Sequence, residues 1–395
     1  STDTITTTDL IRRRWLDNHF YGTVFALNYG KEGLDVSFGG SVNQYLGGHF
    51  GEVIWAEYAS SSEIRDRYYE NDATKTDLSS YIKAKYMYKD FMFYGDFQFR
   101  HIDYNYLGVA SVNGSIEAVD QEVSYNFINP KGGIKYFIDD RQSIISSVGV
   151  ANREPTRGDF IQSTPENRPS SEQLIDFELG YRFYGRKLMI GLSPYYMHYN
   201  NQLILTGQIN DVGGYTKTNV DKSSRAGIEF EIGYQPHKKL DLTGNFTFSQ
   251  NKVAAFNEFI DNYDIGGQDT IAHTNTDLAF SPNIIAAAGI SYEPVKGLYV
   301  MLLGKYVGKQ FLDNTSTDTR KIDGYFISTF DVSYTIKDVL FKEIQIGVRV
   351  NNLFNKVYES NGYTWGYIYG GELTVENFYY PQAGRNFHAR LTLKF

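Results

Sequence analysis

The chain has 395 residues, a formal charge of −8, 33 Tyr, 27 Phe, 9 Pro and no Cys. The lack of Cys excludes a disulfide framework and thiol chemistry, and the acidic balance argues against nucleic acid as a partner. A soluble chain of this length usually divides into two or three domains, but no composition break divides this one, and its Tyr content is typical of the aromatic girdles at membrane interfaces.

Segments in which apolar and polar residues alternate recur from about Phe20 to the end of the chain. Side chains of a strand point alternately to its two faces, so each such segment predicts a strand with one apolar and one polar face. The clearest examples, in chain order, are residues 34–43, 91–100, 177–183, 228–234, 240–248, 343–350 and 386–395. About 15 strands are predicted in this way, and segments with helical period are nearly absent.

The predicted connections alternate between short and long along the chain. The short ones are Gly30–Gly33, Lys89-Asp90, Asp139–Gln142, Gly185-Arg186, Pro236–Lys239, Glu293–Gly297 and Lys337–Leu340. The long ones are Gly48–Arg65, Val109–Asp120, Arg153–Ser171, Gly207–Tyr215, Ala254–Asp277, Leu312–Ile322 and Val357–Arg385. A sandwich has no reason to place every long loop at one end, whereas an outer-membrane barrel has tight periplasmic turns and long extracellular loops. The alternation therefore predicts an all-β, antiparallel up-and-down transmembrane β-barrel.

The last predicted strand ends on an aromatic residue. Phe387, Leu391, Leu393 and Phe395 share its apolar face, which is predicted to contact lipid and to serve as an assembly signal. Counting strands back from a periplasmic Phe395 places residues 1–17 in an extracellular loop and residues 18–395 in strands, short periplasmic turns and long extracellular loops. Because a barrel with both ends in the periplasm needs an even number of strands, an odd number is expected on the N-terminal side of this chain.

Five further segments carry a family resemblance. They are residues 151–159 (ANREPTRGD), 171–181 (SEQLIDFELGY), 224–231 (SRAGIEFE), 350–358 (VNNLFNKVY) and 380–387 (YPQAGRNF). Together with the final strand, they resemble the TonB-dependent outer-membrane receptors, especially those of Bacteroidetes. Gln382-Ala383 departs from the Pro that many members have at this structural position.

The resemblance implies a barrel of about 22 strands with a plugged lumen, of which this chain supplies roughly the last 15. It implies a bacterial outer-membrane location and contact with membrane lipid. It also implies a plug domain and a TonB-contacting segment that lie outside this sequence, and a surface-exposed lipoprotein as a further candidate partner.

Aromatic residues are concentrated in the connection from Tyr358 to Tyr380. We predict that Tyr363, Trp365, Tyr367 and Tyr369 bind ligand at the barrel mouth, because aromatic rings provide rigid contact area at low entropic cost. The alternative is an aromatic girdle, or packing against a neighbouring loop or lipoprotein.

A second long connection, Asn257–Asp269, is acidic. Asp261, Asp264 and Asp269, with Gly266 and Gly267 between them, form a candidate Ca²⁺ loop, although their spacing does not match an EF-hand. An acidic loop without metal is the simpler interpretation, and no other cofactor is expected. His49 and His273 also fall in long connections, where haem receptors use histidines, but solvated loop histidines are the simpler interpretation.

Alternation places six charged residues on the lumen side: Glu178, Arg182, Glu229, Glu231, Arg349 and Arg390. The resemblance implies that they pair with each other and with the plug. No nucleophile elbow, phosphate loop or catalytic carboxylate pair is present in the sequence, so we do not expect an enzyme. The expected function is uptake of a scarce nutrient such as an iron chelate, haem or cobalamin. The alternatives are an oligosaccharide or peptide importer of the same family, or a passive porin.

Overall fold

The computed structural model describes residues 8–58, 63–112, 115–118, 120–161, 163, 168–209 and 215–395. The strands are β1 (Leu10–Lys31), β2 (Leu34–Ala56), β3 (Arg67–Tyr88), β4 (Phe91–Val112), β5 (Ser115–Ala118), β6 (Gln121–Phe137), β7 (Gln142–Arg153), β8 (Glu172–Tyr184), β9 (Leu188–Ile209), β10 (Tyr215–His237), β11 (Leu240–Asn262), β12 (Gly267–Asp277), β13 (Ile284–Tyr292), β14 (Leu298–Val307), β15 (Gln310–Phe311), β16 (Lys321–Ile322), β17 (Tyr325–Lys337), β18 (Glu343–Asn351), β19 (Glu359–Tyr369), β20 (Glu372–Pro381) and β21 (Asn386–Lys394). One short helix, α1 (Arg157–Ile161), follows β7.

Fifteen of these strands pair antiparallel in chain order to form one meander. The order is β1, β2, β3, β4, β6, β7, β8, β9, β10, β11, β13, β14, β17, β18 and β21. The predicted antiparallel meander is confirmed. Within the described ranges, β1 and β21 do not pair with each other, so the sheet is open at these two edges.

The remaining strands extend one rim of the meander. β5 and β12 pair with the ends of β4 and β11, and β19 and β20 form a hairpin between β18 and β21. β15 and β16 form a separate two-stranded sheet. In the part of the chain that the structure describes, no helix has the length and apolar character needed to cross a membrane.

The two faces of the meander have opposite chemistry, and the apolar face is the exposed one. At the C-terminal end, Ile346 and Leu391 pair directly and are 52% and 63% exposed. On the other face of the sheet, Asp331 of the adjacent strand β17 is 2% exposed between Arg349 and Arg390. Water-soluble sheets bury apolar residues and expose charges. This inverted arrangement is the one that a sheet surrounded by lipid requires.

The connections separate the two rims, which we call the turn rim and the hairpin rim. The turn rim holds tight turns such as Glu32-Gly33, where both φ angles are positive (45° and 86°), as a type I′ hairpin turn requires. The hairpin rim holds the longer connections. β2 and β11 have 23 residues each, about twice the length that a tilted strand needs to cross a bilayer, so both extend well beyond it at this rim.

Two features of the hairpin rim correct the sequence interpretation. Residues 10–17 are not a loop: they form the first part of β1 and pair with β2, while residues 1–7 lie outside the described residues. The long connections at residues 254–277 and 357–385 are also largely strand, and residues 48–56 belong to β2. A hairpin satisfies backbone N–H and C=O groups across its two arms, so a long polar connection need not be irregular.

The polar face is not empty near the hairpin rim. After β7 the chain folds back over this face, and we call residues 154–161 the inner segment. Its Phe160 is fully buried in a cluster with Ala73, Tyr104, Tyr106 and Val123. Glu154 pairs with Lys75 (2.6 Å) and Arg100 (3.0 Å), and Asp159 pairs with Lys217 (2.8 Å). The inner segment thereby links β3 and β4 to β10 across the polar face.

Candidate ligand-binding site

A cavity of about 850 Å³, which we call the outer cavity, lies among the elements of the hairpin rim. Its walls are the end of β9 (202–207), β11 with the residues after β12, the segment 312–320 and β19 (361–366). Most of the lining side chains are apolar or aromatic. Volumes of a few hundred to about a thousand Å³ with a few convergent polar groups are typical of small-molecule sites.

The strand β9 closes one side of the outer cavity because it bends towards β11. Gly207 has a φ of +84°, and a Cβ there would lie 2.2 Å from the carbonyl oxygen of Phe259. Only glycine permits this approach without strain. The Gln268 side chain donates to the Gly207 carbonyl (2.9 Å), and the Asn314 side chain donates to the Leu205 carbonyl (3.0 Å), which holds the bend in place.

The aromatic segment predicted from the sequence forms the hairpin of β19 and β20. Tyr363 and Trp365 line the outer cavity. The ring of Tyr367 lies 4.9 Å from that of Trp365 and 5.6 Å from that of Tyr263, whereas Tyr369 is 70% exposed at the hairpin tip. The structure thus brings two of the four proposed ligand-binding residues to the cavity, stacks Tyr367 next to one of them and leaves Tyr369 away from the lining.

The β19–β20 hairpin is docked on the tip of the β11–β12 hairpin. The Asp264 carboxylate accepts hydrogen bonds from the backbone N–H groups of Gly370 and Gly371, both at 2.8 Å. The Tyr263 N–H donates to the Ile368 carbonyl at 3.0 Å, next to a short parallel pairing of β11 with β19. The two hairpins therefore form a continuous roof over the outer cavity.

The other arm of the hairpin is held by the segment 312–322. The Asn377 side chain donates to the Thr319 carbonyl (2.7 Å), and the Tyr379 hydroxyl donates to the Lys321 carbonyl (3.0 Å). On the first arm, Gly362 permits the close approach of β20, since a Cβ there would lie 2.4 Å from the Phe378 carbonyl oxygen.

A charged cluster lies in the wall of the outer cavity. Arg320, 5% exposed, pairs through Nη1 with Glu258 and with Asp313 (2.8 Å). Glu258 uses its other oxygen to contact His273 Nε2 at 2.7 Å, and the His273 ring stacks on Phe256. Buried charges persist when they are paired and hydrogen-bonded, so this cluster fixes the relative positions of β11, β12 and the segment 312–320.

The sequence did not single out Arg320, Glu258 or Asp313 as a group. They lie in two segments more than fifty positions apart, and each is one of several charges in its own segment. Their juxtaposition depends on how the hairpins fold over the rim, for which strand alternation carries no signal. The prediction that His273 is a solvated loop histidine is wrong, because its side chain is packed between Phe256 and Glu258.

His49 is also not a free loop histidine. Arg157 of the inner segment contacts His49 Nε2 at 3.0 Å and also donates to the Asn71 side chain. Burial, with the nearby Arg157 charge, lowers the pKa of His49 to about 4. An arginine can only donate, so His49 must accept here as the neutral imidazole.

The candidate calcium loop is not assembled. Asp264 is used by the glycine N–H groups, Asp261 accepts from the Gln268 side chain (2.8 Å), and Asp269 accepts from the Asn262 side chain (3.0 Å). Among the described residues, no group of three or more His, Asp or Glu side chains is placed to hold a metal ion. The three aspartates act as hydrogen-bond acceptors in the roof, and calcium binding stays a prediction.

Comparison with known proteins identifies the family. A family model described as "TonB dependent receptor-like, beta-barrel" matches residues 1–353. The chain belongs to the TonB-dependent receptors. No curated protein matches the sequence.

Solved structures of other proteins with the same fold support the assignment of the meander as a barrel wall. The ferric-catecholate import receptor Fiu of E. coli K12 superposes with a TM-score of 0.71 at 16% identity, covering 96% of this chain and 55% of Fiu. The siderophore receptor PiuA of Acinetobacter baumannii gives 0.74 at 13% identity, with 97% and 56% covered. The copper transporter OprC gives 0.72 at 14% identity, with 96% and 57% covered. The chain thus spans about half the length of the receptors that it matches.

In this TonB-dependent receptor, the apolar face of the final strand is exposed, as the sequence predicted. Phe387, Leu391 and Phe395 are 67%, 63% and 82% exposed, and Leu393 pairs with Ile344. The Phe395 ring also packs edge-on against Phe341 at 5.0 Å. Their role as an assembly signal stays a prediction.

The predicted lumen charges lie on the polar face, and two of them share a partner, Asp331, that the sequence analysis did not single out. Arg182 reaches Glu231 at 3.9 Å, while Arg349 and Arg390 both bind Asp331, each at 2.9 Å. Asp331 follows the alternation of β17, so its position on this face could have been read from the sequence; its pairing with two other strands could not.

Proposed function

We propose that this chain forms the larger part of the barrel of an outer-membrane receptor that takes up a ferric chelate. The observation that carries the proposal is the outer cavity of about 850 Å³, roofed by the aromatic β19–β20 hairpin at the rim of the long connections. The related structures, which include import receptors for ferric catecholate and ferric yersiniabactin and a ferric citrate transporter, support the same ligand class.

In the complete receptor, the hairpin rim is extracellular and the turn rim is periplasmic. The outer cavity is then the first site that a chelate meets, with Tyr363, Trp365 and Tyr367 supplying aromatic contacts. A plug domain and a segment that contacts TonB, both outside this sequence, complete the transporter, and membrane lipid surrounds the exposed apolar face. A surface lipoprotein over the hairpin rim is compatible with this arrangement. The protein acts by binding and translocation, without chemical turnover.

An equilibrium binding panel on the purified full-length receptor tests the proposal. The panel contains a ferric catecholate, ferric citrate, a ferric trihydroxamate, haem, cobalamin and an oligosaccharide mixture. We expect at least one ferric chelate to bind. Replacing Trp365→Ala should weaken that binding roughly fivefold, since one aromatic contact contributes on the order of 1 kcal/mol. Tyr184→Ala, an exposed aromatic at the turn rim, is the matched control and should bind normally.

Other results would redirect the proposal in defined ways. Binding of haem, cobalamin or oligosaccharide alone would keep the receptor and change its ligand. If nothing binds and the full-length protein conducts ions freely in planar bilayers, the protein is a passive porin. If Trp365→Ala and Tyr184→Ala bind a chelate equally well, the aromatic hairpin is an interfacial girdle and the ligand binds elsewhere.

A further inference from the structure

The charged residues that line the outer cavity are predominantly acidic. They are Glu258, Asp261, Asp313 and Arg320, three carboxylates against one guanidinium. Arg320 is buried and engaged by both Glu258 and Asp313, so its charge is already shared between two carboxylates. Three negative charges against one positive charge leave the lining with two negative charges in excess. An anionic ligand that entered this cavity would lose water without gaining a free cationic partner.

The two hairpins that form the roof of the cavity also carry a net negative charge. Residues 254–276 of the β11–β12 hairpin and residues 359–381 of the β19–β20 hairpin contain no Lys or Arg. They contain seven carboxylates: Glu258, Asp261, Asp264, Asp269, Glu359, Glu372 and Glu376. The neighbouring segment 308–324 is balanced, with three acidic and three basic residues, and does not offset them. Carboxylates of one sign around a low-dielectric cleft focus a negative potential on its entrance.

The aromatic residues of the site favour the same ligand charge. Tyr363 and Trp365 line the cavity, and Glu376 lies directly opposite Trp365 in the hairpin pairing. The faces of aromatic rings carry negative quadrupole charge and attract cations, most strongly in the case of Trp. Carboxylates and ring faces together form an environment that solvates a positive group and repels a negative one.

We propose that the outer cavity selects chelates that carry a cationic group on an otherwise apolar body and discriminates against anionic chelates. The inference rests on the proposed function, because it assigns the charge class of the ligand bound at that site. It also assigns a role to the acidic hairpins, whose carboxylates attract the ligand electrostatically before contact as well as holding the roof together.

A series of chelates that differ only in charge tests the inference on the full-length receptor. The ferric complex of desferrioxamine B is cationic through its free ammonium group, its N-acetyl derivative is neutral, and its N-succinyl derivative is anionic. We expect affinity to fall in that order, by roughly fivefold per unit of charge at low ionic strength. The differences should shrink as salt is raised, because the roof charges are exposed to solvent.

Charge-removing variants connect the effect to the site. Asp261→Asn in the lining and Glu376→Gln in the roof should each reduce the preference for the cationic chelate over the anionic one. Asp140→Asn makes the same change of net charge in a turn at the opposite rim and should leave the preference unchanged. The salt dependence of the wild-type protein is measured without any substitution, so a folding defect in a variant does not remove the test.

The possible failures can be told apart. Equal affinities across the series, or a preference for the anionic member, would overturn the charge selection and leave the ferric-chelate receptor standing. Charge selection would also be overturned, and the ferric-chelate receptor kept, if the ferric catecholate or ferric citrate of the wider panel binds and no member of this series does. If no chelate of either set binds, the proposed function and the charge selection are both wrong.

Discussion

At the scale of single residues, the contact between Arg157 and His49 makes the inner segment sensitive to pH. The pKa of His49 is lowered from 6.5 to about 4 by burial and by Arg157. When the inner segment is undocked, His49 regains its ordinary pKa of 6.5. As the pH falls, the undocked form therefore binds a proton at a higher pH than the docked form does. Docking of residues 154–161 is therefore unaffected above pH 6.5 and weakens progressively between pH 6.5 and 4.

The measurement is hydrogen–deuterium exchange of peptides that cover residues 154–161, corrected for the intrinsic pH dependence of exchange. We expect their protection to decrease as the pH falls from 6.5 towards 4. His49→Gln keeps an oxygen that can accept from Arg157 and cannot titrate in this range. Its inner segment should show protection that does not depend on pH between about 6.5 and 5, and persistence of the wild-type pH dependence in this variant would assign the effect to another group.

At the scale of elements, one carboxylate joins the two hairpins of the roof. Asp264 accepts from two N–H groups at the tip of β19–β20, and hydrogen bonds to a charged group are stronger than those to a neutral one. Asp264→Asn removes the charge and one acceptor oxygen. We expect faster hydrogen exchange at residues 366–372 and a wider distribution of distances between spin labels on the two hairpins.

Asp269→Asn is the matched control for the roof contact. It removes the same charge from the same hairpin, but among the described residues Asp269 bonds to Asn262 of that hairpin and not to the β19–β20 hairpin. The control should leave exchange at residues 366–372 close to that of the wild type. If both variants loosen the β19–β20 hairpin equally, its docking depends on the net negative charge of the β11–β12 hairpin and not on the hydrogen bonds to Asp264.

The final strand allows a second test at this scale. Leu393→Arg places a charge on the apolar face, which costs about 2–4 kcal/mol at the bilayer midplane and less near its edge. Thr392→Arg places the same charge one position earlier, on the opposite face of the strand. We expect reduced amounts of heat-resistant, membrane-inserted barrel for Leu393→Arg and for deletion of Phe395, with a smaller loss for Thr392→Arg. Equal insertion of all three variants would contradict a lipid-facing assembly signal.

At the scale of the whole molecule, the separation of short turns from long hairpins predicts the orientation in the membrane. Lys238 lies in a tight turn and Ile265 lies at the exposed tip of the β11–β12 hairpin. Single cysteines at these positions, Lys238→Cys and Ile265→Cys, can be treated with a membrane-impermeant thiol reagent, because residues 1–395 contain no Cys that would react as well. In intact cells only Ile265→Cys should react. After outer-membrane permeabilisation both should, and equal labelling in intact cells would contradict the orientation.

The strands and their faces could be predicted from the sequence because both depend on local period. Phe387, Leu391 and Leu393 share a face for the same reason that Arg390 lies on the other one: successive side chains of a strand point to opposite faces. The outer cavity was predictable only in part. The aromatic density of residues 358–380 indicated Trp365, but the folding of its hairpin onto Asp264 depends on contacts more than a hundred residues apart.

The sequence by itself determined that this protein is an antiparallel meander with one lipid-compatible face, short turns at one rim and long polar connections at the other. Those properties follow from alternation and turn chemistry, which act over a few residues. Only the tertiary structure decided that the long connections form paired hairpins, that Phe160 enters the polar face, and that Arg320 joins Glu258 and Asp313 in the cavity wall. These contacts depend on the curvature and stagger of distant strands, and so the binding site emerges only when the whole sheet is assembled.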